Sequence, residues 1–234
     1  MLTAAVIVAA GKGVRMGGEV GKQYLPLAGV PILQRTLNAF AASGLFQEII
    51  LVVAAAEMDY CRRRVVDEVN TTATIRLIAG GPERQESVFN GLEACSGDAA
   101  DPVLIHDGVR PFVSKDDLSR CLQTVGTHGA CIVAIPSADT LKRVGVDGRI
   151  KHTLPREAIW LAQTPQGFRL GLIRAAHRRA RRDGFSGTDD AQLLERTGHA
   201  VAIVPGSRAN IKITTPEDLR LAEAIWQYRT HDAG

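Results

Sequence analysis

The chain has 234 residues, of which 45% are hydrophobic and 23% are charged, and its formal net charge is +3 at pH 7. This is the composition of an ordinary globular protein, and the length suits one domain. So small a net charge does not by itself indicate a nucleic-acid partner, and no run approaches the roughly 18 consecutive apolar residues of a membrane span.

The cysteines and the first residues bear on the compartment. Cys61, Cys95, Cys121 and Cys131 form no CxxC pair, so neither a zinc site nor a disulfide framework is predicted. The opening MLTAAVIVAAGKG has no basic segment ahead of its apolar part, and we interpret it as a first strand rather than as a signal peptide. We therefore expect a cytoplasmic enzyme or binding protein with no membrane partner.

Short apolar runs recur along the chain, and most are apolar at both alternate positions, as in strands buried on two faces. The predicted strands cover residues 4–10, 48–55, 75–80, 102–107, 130–136 and 200–205. Helical patterns separate them, for example at 31–43 and 86–96. The alternation predicts an α/β fold, a single domain over residues 1–234 with a doubly wound, mostly parallel sheet. Such sheets bind ligands beyond the carboxyl ends of their strands, here after Ala10, Ala79, Ile105 and Ile135.

One stretch breaks the alternation. Residues 137–160 contain Asp147-Gly148 between two short segments, which is typical of a β-hairpin. The stretch is polar and has no apolar stripe of its own. We predict an arm that leaves the domain and packs on a partner subunit.

Two helix starts and one basic helix are also predicted. Ser114 and Thr215 fit the N-cap pattern, the second with proline at the first helical position. The sequence HRRARRD at 177–183 lies in a predicted helix over 168–183. A solvated helix face is favoured over a nucleic-acid patch, because no aromatic interleaving or nucleic-acid motif accompanies the charges.

The loop after the first predicted strand combines glycines with cations. Glycines occupy positions 11, 13 and 17, a spacing that differs from the dinucleotide fingerprint, and no Walker pattern is present. Glycines let backbone N–H groups approach phosphate oxygens, while Arg15 and Lys22 add full positive charges. The loop is therefore predicted to bind phosphates, although an unspecialised glycine turn is the alternative.

Two further loops carry candidate residues. In the loop at 79–88, Gly80-Gly81 ends a strand and is followed by Arg84 and Ser87; the serine hydroxyl either helps to recognise a base edge or caps a helix. Asp107 directly follows a buried strand, and Arg110 offers a bidentate anion fork three residues later. A purely structural Asp107–Arg110 salt bridge is the alternative.

Other chemistries are not indicated. The six histidines show no metal-ligand spacing, and no Gly-x-Ser-x-Gly elbow or Cys–His constellation is present, so covalent catalysis is not predicted. Later polar groups have ordinary explanations as helix caps or solubilising charges. They are Asp139-Thr140, Arg156, Thr164-Pro165-Gln166, Thr188-Asp189-Asp190 and Asn210-Ile211-Lys212.

Taken in order, eight blocks resemble the nucleotidyltransferases, and specifically the 2-C-methyl-D-erythritol 4-phosphate cytidylyltransferase family of the non-mevalonate isoprenoid pathway. The blocks are AAGKGVRM, GKQYL, GGPERQESV, HDGVRPF, DTLKR, TPQ, TDD and NIKIT. The resemblance extends from Ala4 to about Ala224. It implies transfer of CMP from CTP to a methylerythritol phosphate, a divalent cation, expected to be Mg²⁺, on the CTP phosphates, and a homodimer formed through the 137–160 arm.

The resemblance also implies roles for individual residues. CTP binding is expected at Ala9, Ala10, Gly11, Gly13, Arg15, Lys22, Gly81, Arg84, Ser87 and Asp107. Acceptor binding is expected at Asp107, Arg110, Thr140, Arg156, Thr164, Thr188 and Lys212, with Thr140 and Arg156 reaching a partner's site. The catalytic residues are expected to be Arg15, Lys22, Arg156 and Lys212, and no protein metal ligands are assigned.

Two positions of the sequence depart from the family pattern. Gly21 stands where the family usually has proline, which predicts a more mobile loop, and Pro82 stands where an acidic residue is frequent.

A cytidylyltransferase for ribitol phosphate or another polyol phosphate is the nearest alternative, but residues 83–87 and DTLKR favour the methylerythritol enzyme. A non-catalytic nucleotide sensor would have lost Arg15 or Lys22, and the glycine spacing disfavours a nicotinamide oxidoreductase.

Overall fold

The structure, a computed structural model, describes residues 1–11 and 21–231. Within these ranges the strands are β1 (Ala4–Val8), β2 (Pro26–Leu27), β3 (Val30–Pro31), β4 (Glu48–Val53), β5 (Thr74–Ala79), β6 (Pro102–Asp107), β7 (Ala130–Pro136), β8 (Lys142–Val144), β9 (Ile150–Thr153), β10 (Trp160–Arg169) and β11 (Ala202–Pro205). The helices are α1 (Ile32–Ser43), α2 (Met58–Cys61), α3 (Arg84–Ala94), α4 (Lys115–His128), α5 (Leu170–Arg182), α6 (Asp190–Glu195) and α7 (Pro216–His231).

In the described part of the chain, seven strands form a central sheet in the order β5-β4-β1-β6-β10-β7-β11. β1 pairs in parallel with β4 and β6, β4 with β5, and β7 with β11. β10 runs antiparallel between β6 and β7. The predicted doubly wound, mostly parallel α/β sheet is confirmed, and each strand predicted from an apolar run is present.

The middle strands are buried on both faces, as their sequence predicts. Ala5 and Ile7 of β1 belong to the apolar cluster that includes α1 and α4. Val6 and Val8 belong to the cluster on the other face, which includes α3 and α5. Fully burying an aliphatic side chain contributes about 1.5–3 kcal/mol relative to leaving it exposed. Because both faces are covered, ligands can reach this sheet only at its ends or edges.

The predicted helix starts are confirmed. Ser114 caps α4 by accepting a hydrogen bond from the backbone N–H of Asp117 at 3.0 Å. At α7, the hydroxyl of Thr215 accepts from the N–H of Asp218 at 3.2 Å, and the Asp218 carboxylate accepts from the N–H of Thr215 at 2.9 Å. These bonds satisfy N–H groups that have no partner inside the helix.

The hairpin in residues 137–160 is also confirmed. β8 and β9 pair antiparallel, and the turn between them has Gly148 at φ +75°, a conformation that favours glycine. Residues of both strands are exposed. β10, which follows the hairpin, is not predicted from the sequence.

The basic helix α5 packs as predicted, with Leu170, Ile173, Ala176 and Ala180 buried. Its outward arginines contact groups of the same chain; Arg178, for example, donates two hydrogen bonds to the Glu93 carboxylate at 3.0 and 2.9 Å. Within the described residues, none of the helices combines the length and the apolar character that crossing a bilayer requires.

Candidate active site

A cavity of about 190 Å³ lies beyond the carboxyl ends of β1, β5 and β6. Backbone hydrogen bonds join the loops that form it: the Gly80 N–H donates to the Val53 carbonyl and the Gly108 N–H to the Val8 carbonyl, each at 2.8 Å. A Cβ atom on Gly80 would lie 2.4 Å from the Cβ of Ala10. Glycine is therefore required at this position because the loops after β1 and β5 touch.

Most of the residues expected to bind CTP line this cavity. They are Ala10, Gly11, Lys22, Gly81, Arg84, Ser87 and Asp107. Ala9 does not; it is buried, and its N–H donates to the Val52 carbonyl. Gly13 and Arg15 lie outside the described residues. Gly21 has φ −54°, within the range that proline imposes, so its backbone keeps the conformation that the family's proline would hold.

The Ser87 hydroxyl is engaged within its own loop. Its oxygen accepts a hydrogen bond from the Gly81 N–H at 3.1 Å, and the hydroxyl donates to the Glu83 carbonyl at 3.0 Å. Glu83 and Glu86 form a reciprocal capping box at the start of α3. The interpretation of Ser87 as a helix cap is wrong, because Glu83 caps α3 and Ser87 lies in its first turns, while its place in the lining of the cavity is compatible with recognition of a base edge.

Asp107 is the electrostatic centre of the site. Its carboxylate lies 3.2 Å from Nε of Arg84, 3.5 Å from Nε of Arg110 and 3.0 Å from Nζ of Lys212. Burial alone would raise the pKa of Asp107, but the three cations outweigh it and hold this pKa below its ordinary value. Asp107 is therefore ionised at neutral pH. The predicted Asp107–Arg110 contact exists, but as part of a four-residue cluster.

Arg84 joins this cluster to a second buried acid that the sequence analysis did not select. Its Nη1 lies 2.9 Å from Asp190, whose other carboxylate oxygen lies 3.0 Å from Nε2 of the buried His177. Burial opposes ionisation of Asp190, but the charge of Arg84 and the hydrogen bond with His177 lower its pKa. Gln166 fixes Asp190 in place, because its side-chain oxygen accepts from the Asp190 N–H at 3.1 Å. In the sequence, the TDD block, which contains Asp190, and the TPQ block, which contains Gln166, were the signals that could have indicated this contact.

A second cavity, of about 220 Å³, adjoins the first. Arg84, Asp107 and Lys212 line both. The other residues expected to bind the acceptor and found here are Arg110, Thr164 and Thr188. The structure thus brings together two cavities that share one carboxylate and two of its cations.

Buried polar contacts hold the second cavity in shape. Nη1 of Arg110 donates to the Asn210 carbonyl at 2.8 Å, and the Asn210 side-chain amide donates to the Thr164 carbonyl at 2.8 Å. Asn210 is fully buried. This explains how the NIKIT block, which also supplies Lys212, reaches a site formed by residues about a hundred positions earlier.

Thr140 and Arg156 lie elsewhere. They line a depression of the arm, together with Thr153 and Glu157, and neither lines the cavities around Asp107. Arg156 donates to the Ala138 carbonyl at 3.2 Å. The expectation that the loop after Ile135 borders the ligand site is wrong for the two central cavities, because this loop leads into the arm.

The described residues do not form a protein cage for a metal ion. No group of three or more His, Cys, Asp or Glu side chains among them could hold one. Asp107, the carboxylate shared by both cavities, already faces three cations.

Comparisons with known proteins agree over nearly the whole chain. The family model of 2-C-methyl-D-erythritol 4-phosphate cytidylyltransferase matches residues 3–228. The enzyme of that name from Geobacter metallireducens is 52% identical over 227 residues, which are 96% of this chain and 97% of the relative. That from Pelotomaculum thermopropionicum is 47% identical over 97% of this chain and 94% of the relative.

Solved structures give the same result. The crystal structure of 4-diphosphocytidyl-2C-methyl-D-erythritol synthase from Anaerococcus prevotii has a TM-score of 0.86 and 34% identity, covering 97% of this chain and 96% of that one. The 2-C-methyl-D-erythritol 4-phosphate cytidylyltransferase of Thermus thermophilus has a TM-score of 0.79 and 36% identity, covering 97% and 100%. The chain therefore belongs to the 2-C-methyl-D-erythritol 4-phosphate cytidylyltransferase family, the nucleotidyltransferase enzymes of the non-mevalonate isoprenoid pathway.

Proposed function

We propose that the two cavities that meet at Asp107 form the site of the family's reaction. In this reaction CMP passes from CTP to 2-C-methyl-D-erythritol 4-phosphate, giving 4-diphosphocytidyl-2-C-methyl-D-erythritol and pyrophosphate. The observation that carries the proposal is that Arg84, Asp107 and Lys212 line both cavities. A nucleotide and an acceptor bound on either side of these residues would present their phosphates to each other.

CTP occupies the first cavity in this proposal. Ala10, Gly11 and Gly13 lie along the triphosphate, while Arg15 and Lys22 stabilise the charge that gathers on the pentacovalent phosphorus; Ala9, which is buried behind them, does not contact the nucleotide. Gly81, Arg84 and Ser87 border the cytosine, which is recognised partly by backbone groups. The lining of the cavity by Lys22, Gly81 and Ser87 supports this arrangement.

The acceptor occupies the second cavity. Its phosphate is the nucleophile, and because a phosphate monoester is mostly dianionic near neutral pH (second pKa about 6), no protein base is needed. The protein has to cancel repulsion between two anions and hold the attacking oxygen in line with the α-phosphorus. Lys212 and Arg110, which are near Asp107, supply positive charge there, and Thr164 and Thr188 border the rest of the acceptor.

The arm completes the acceptor site of a second subunit. Thr140 and Arg156 then lie in the partner's site, and Arg156 binds the acceptor phosphate with its planar fork. Three apolar side chains of the hairpin support a partner there: Val144, Val146 and Ile150 have exposed fractions of 53%, 111% and 64%. Clustered apolar side chains in water are typical of interaction surfaces. The chain is therefore proposed to act as a homodimer.

A divalent cation, Mg²⁺ in this proposal, binds to the CTP phosphates and neutralises part of their charge. Mg²⁺ usually keeps several waters and binds through substrate phosphates, which suits a site where the described residues form no group of three or more metal-binding side chains. The residues of the chain then contribute position and fixed positive charge.

The remaining features suit a single-domain cytoplasmic enzyme with small-molecule substrates. All four cysteines are buried free thiols, as is usual in a reducing compartment. The arginines of α5 that contact acids of the same chain, such as Arg178 with Glu93, support a structural role rather than a nucleic-acid surface.

Pyrophosphate release from the purified chain tests the proposal. With CTP and Mg²⁺, we expect turnover with 2-C-methyl-D-erythritol 4-phosphate and far less with ribitol 5-phosphate or other polyol phosphates. UTP, ATP and GTP at equal concentration should be poor donors, because a site whose buried polar groups are left unpaired rejects the wrong base. Preference for ribitol phosphate would favour the alternative cytidylyltransferase, and equal use of UTP would contradict the assigned base site.

A further inference from the structure

His106 is a buried side chain next to Asp107, and the proposed reaction assigns no role to it. It is fully buried at the end of β6, and its ring packs 5.0 Å from that of Phe40. Each ring nitrogen has one partner at 3.0 Å: Nε2 contacts the Arg110 carbonyl, and Nδ1 contacts Oγ1 of Thr164. Both partners belong to segments that line the second cavity.

The direction of these hydrogen bonds follows from chemistry. A backbone carbonyl can only accept, so Nε2 must carry the hydrogen that it shares with Arg110. Burial lowers the pKa of His106 to about 4, so the ring is neutral near pH 7 and its Nδ1 has a lone pair but no hydrogen. The Thr164 hydroxyl must therefore donate its only hydrogen to Nδ1.

The same hydroxyl has a second fixed partner. Oγ1 of Thr164 accepts the backbone N–H of Asp107 at 3.0 Å. A hydroxyl has one hydrogen and two lone pairs, so a single lone pair remains. Toward a bound molecule, Thr164 can accept a hydrogen bond but has none to give.

We propose that His106 is a positioning residue: it takes the only hydrogen of the Thr164 hydroxyl, so Thr164 can only accept a further hydrogen bond. Thr164 therefore binds a hydroxyl group of the polyol substrate and not the phosphate of that substrate. The inference rests on the proposed function, because it takes the second cavity as the acceptor site. A phosphate dianion also only accepts hydrogen bonds, so it cannot pair with this hydroxyl unless Nδ1 of His106 loses its partner. Leaving such a buried group unpaired costs its full desolvation penalty, which disfavours the phosphate at this position.

The acceptor site therefore has two chemically different halves. Lys212 and Arg110 offer positive charge and donors, which suit the phosphate. Thr164 offers one lone pair, which suits a substrate O–H. This division selects a phosphate ester that carries a free hydroxyl at the correct distance, and it discriminates against acceptors that lack that hydroxyl.

The first test observes the imidazole directly in the wild-type protein. With ¹⁵N-histidine labelling, and with the His106 signals assigned by their loss in His106→Asn, NMR reports which ring nitrogen carries the hydrogen. We expect the Nε2–H tautomer with a hydrogen-bonded Nδ1, both in the free protein and with 2-C-methyl-D-erythritol 4-phosphate bound. Protonation of Nδ1, or loss of its hydrogen bond on binding, would overturn the proposal.

The second test pairs protein variants with acceptors that each lack one hydroxyl. Thr164→Val should raise the KM of the full acceptor about fivefold to tenfold, the value of one hydrogen bond, with the KM of CTP unchanged. Thr164→Ser, which keeps the hydroxyl, should raise the KM of the full acceptor far less than Thr164→Val does. His106→Leu should raise the KM of the acceptor as Thr164→Val does, and His106→Asn, whose side-chain oxygen can replace Nδ1, should recover part of the loss.

The decisive comparison uses the acceptor that lacks the hydroxyl facing Thr164. Wild type and Thr164→Val should use this analogue with the same KM, because the contact is already absent. If Thr164→Val remains equally impaired with every deoxy acceptor, Thr164 does not bind an acceptor hydroxyl and the inference is wrong. Lack of wild-type turnover with the full acceptor would instead contradict the proposed function.

Discussion

The two cavities that meet at Asp107, together called the cleft below, differ from the arm (residues 137–160) in what holds their side chains in place. In the cleft, Arg84, Arg110 and Lys212 all contact Asp107, which is itself almost fully buried. In the arm, both hairpin strands are exposed along their whole length, and Arg156 is exposed with one hydrogen bond to a carbonyl of the arm itself.

This difference indicates which part of the site one chain can organise alone. Charged groups fixed by buried partners keep their geometry before substrate arrives, which is what electrostatic catalysis requires. An exposed arm with apolar side chains is typical of a surface that packs on a partner. The contacts of Arg84, Arg110 and Lys212 with Asp107 lie within one chain, whereas we expect the arm to be completed by a second subunit.

The largest expected effect concerns a cation in the cleft. Lys22→Ala should lower kcat about 10²–10³-fold, close to 2.7–4 kcal/mol of barrier, because this cation serves charge that develops in the transition state. The KM of CTP should change much less. Arg15→Ala is expected to behave alike, and Lys115→Ala, an exposed lysine at the start of α4, is the matched control. Unchanged kcat with only a raised KM for CTP would argue against this role.

The next largest effect concerns the buried acid behind Arg84. Asp190→Asn should lower the free energy of unfolding by about 2–3 kcal/mol, because it removes one of the two buried carboxylates that Arg84 contacts and leaves only Asp107; the value is reduced since Arg84 is a third exposed. Urea unfolding measures it. Glu217→Gln breaks an ion pair with Arg220 in which both side chains are over 70% exposed, and it should change stability by less than about 0.5 kcal/mol. Equal losses would mean that Asp190 does not organise the cleft.

Unfolding measured over a series of pH values separates the contribution of His106 to stability from that of the other residues of the cleft. The folded pKa of His106 is about 4, below the usual 6.5, so the unfolded chain takes up a proton that the folded chain does not. Stability from this group is complete above pH 6.5 and is lost as pH falls toward 4. Between pH 7 and pH 4.5, wild type should lose about 2–3 kcal/mol more than His106→Asn.

The carboxylates of Asp107 and Asp190 do not interfere with this series. Their folded pKa values are depressed, so their contribution is lost only below the unfolded value of about 3.9. Parallel curves for wild type and His106→Asn between pH 7 and pH 4.5 would show that His106 is not held neutral by burial.

The smallest expected effect lies in the arm. Arg156→Ala should raise the KM of the polyol phosphate about tenfold or more, as for loss of a charged hydrogen bond of about 1.5–3 kcal/mol, and should leave CTP binding and the melting temperature unchanged. Arg149→Ala, in the exposed turn of the same hairpin, is the matched control. A lowered melting temperature for Arg156→Ala alone would indicate a structural role within its own chain.

The fold was largely predictable because its strands carry a strong local signal. The side chains of β1, β4 and β6 are mostly apolar on both faces of the sheet, and the structure buries every residue of these strands. β10 was missed because Thr164-Pro165 interrupts it, and proline in a run argues against a strand. Pairing with β6 and β7 on either side decides its conformation.

The site was predictable only in part, for a similar reason. Asp107 and Arg110 could be selected from their position just after a buried strand. Asp190 could not be matched to Arg84, because 106 residues separate them and the contact exists only after α6 docks on Gln166. The role of His106 depends on which partners its two nitrogens meet, which no local pattern encodes.

Subunit mixing tests the shared site most directly. Lys22→Ala damages the cleft and Arg156→Ala damages the arm, so each homodimer alone should be weakly active when the acceptor concentration is kept well below the wild-type KM. If the arm reaches the partner's cleft, a heterodimer of the two has one site with both defects and one intact site, and it should recover about half of wild-type activity. If heterodimers form, as shown with differently tagged chains, and activity does not recover, the arm serves its own subunit and the account is contradicted.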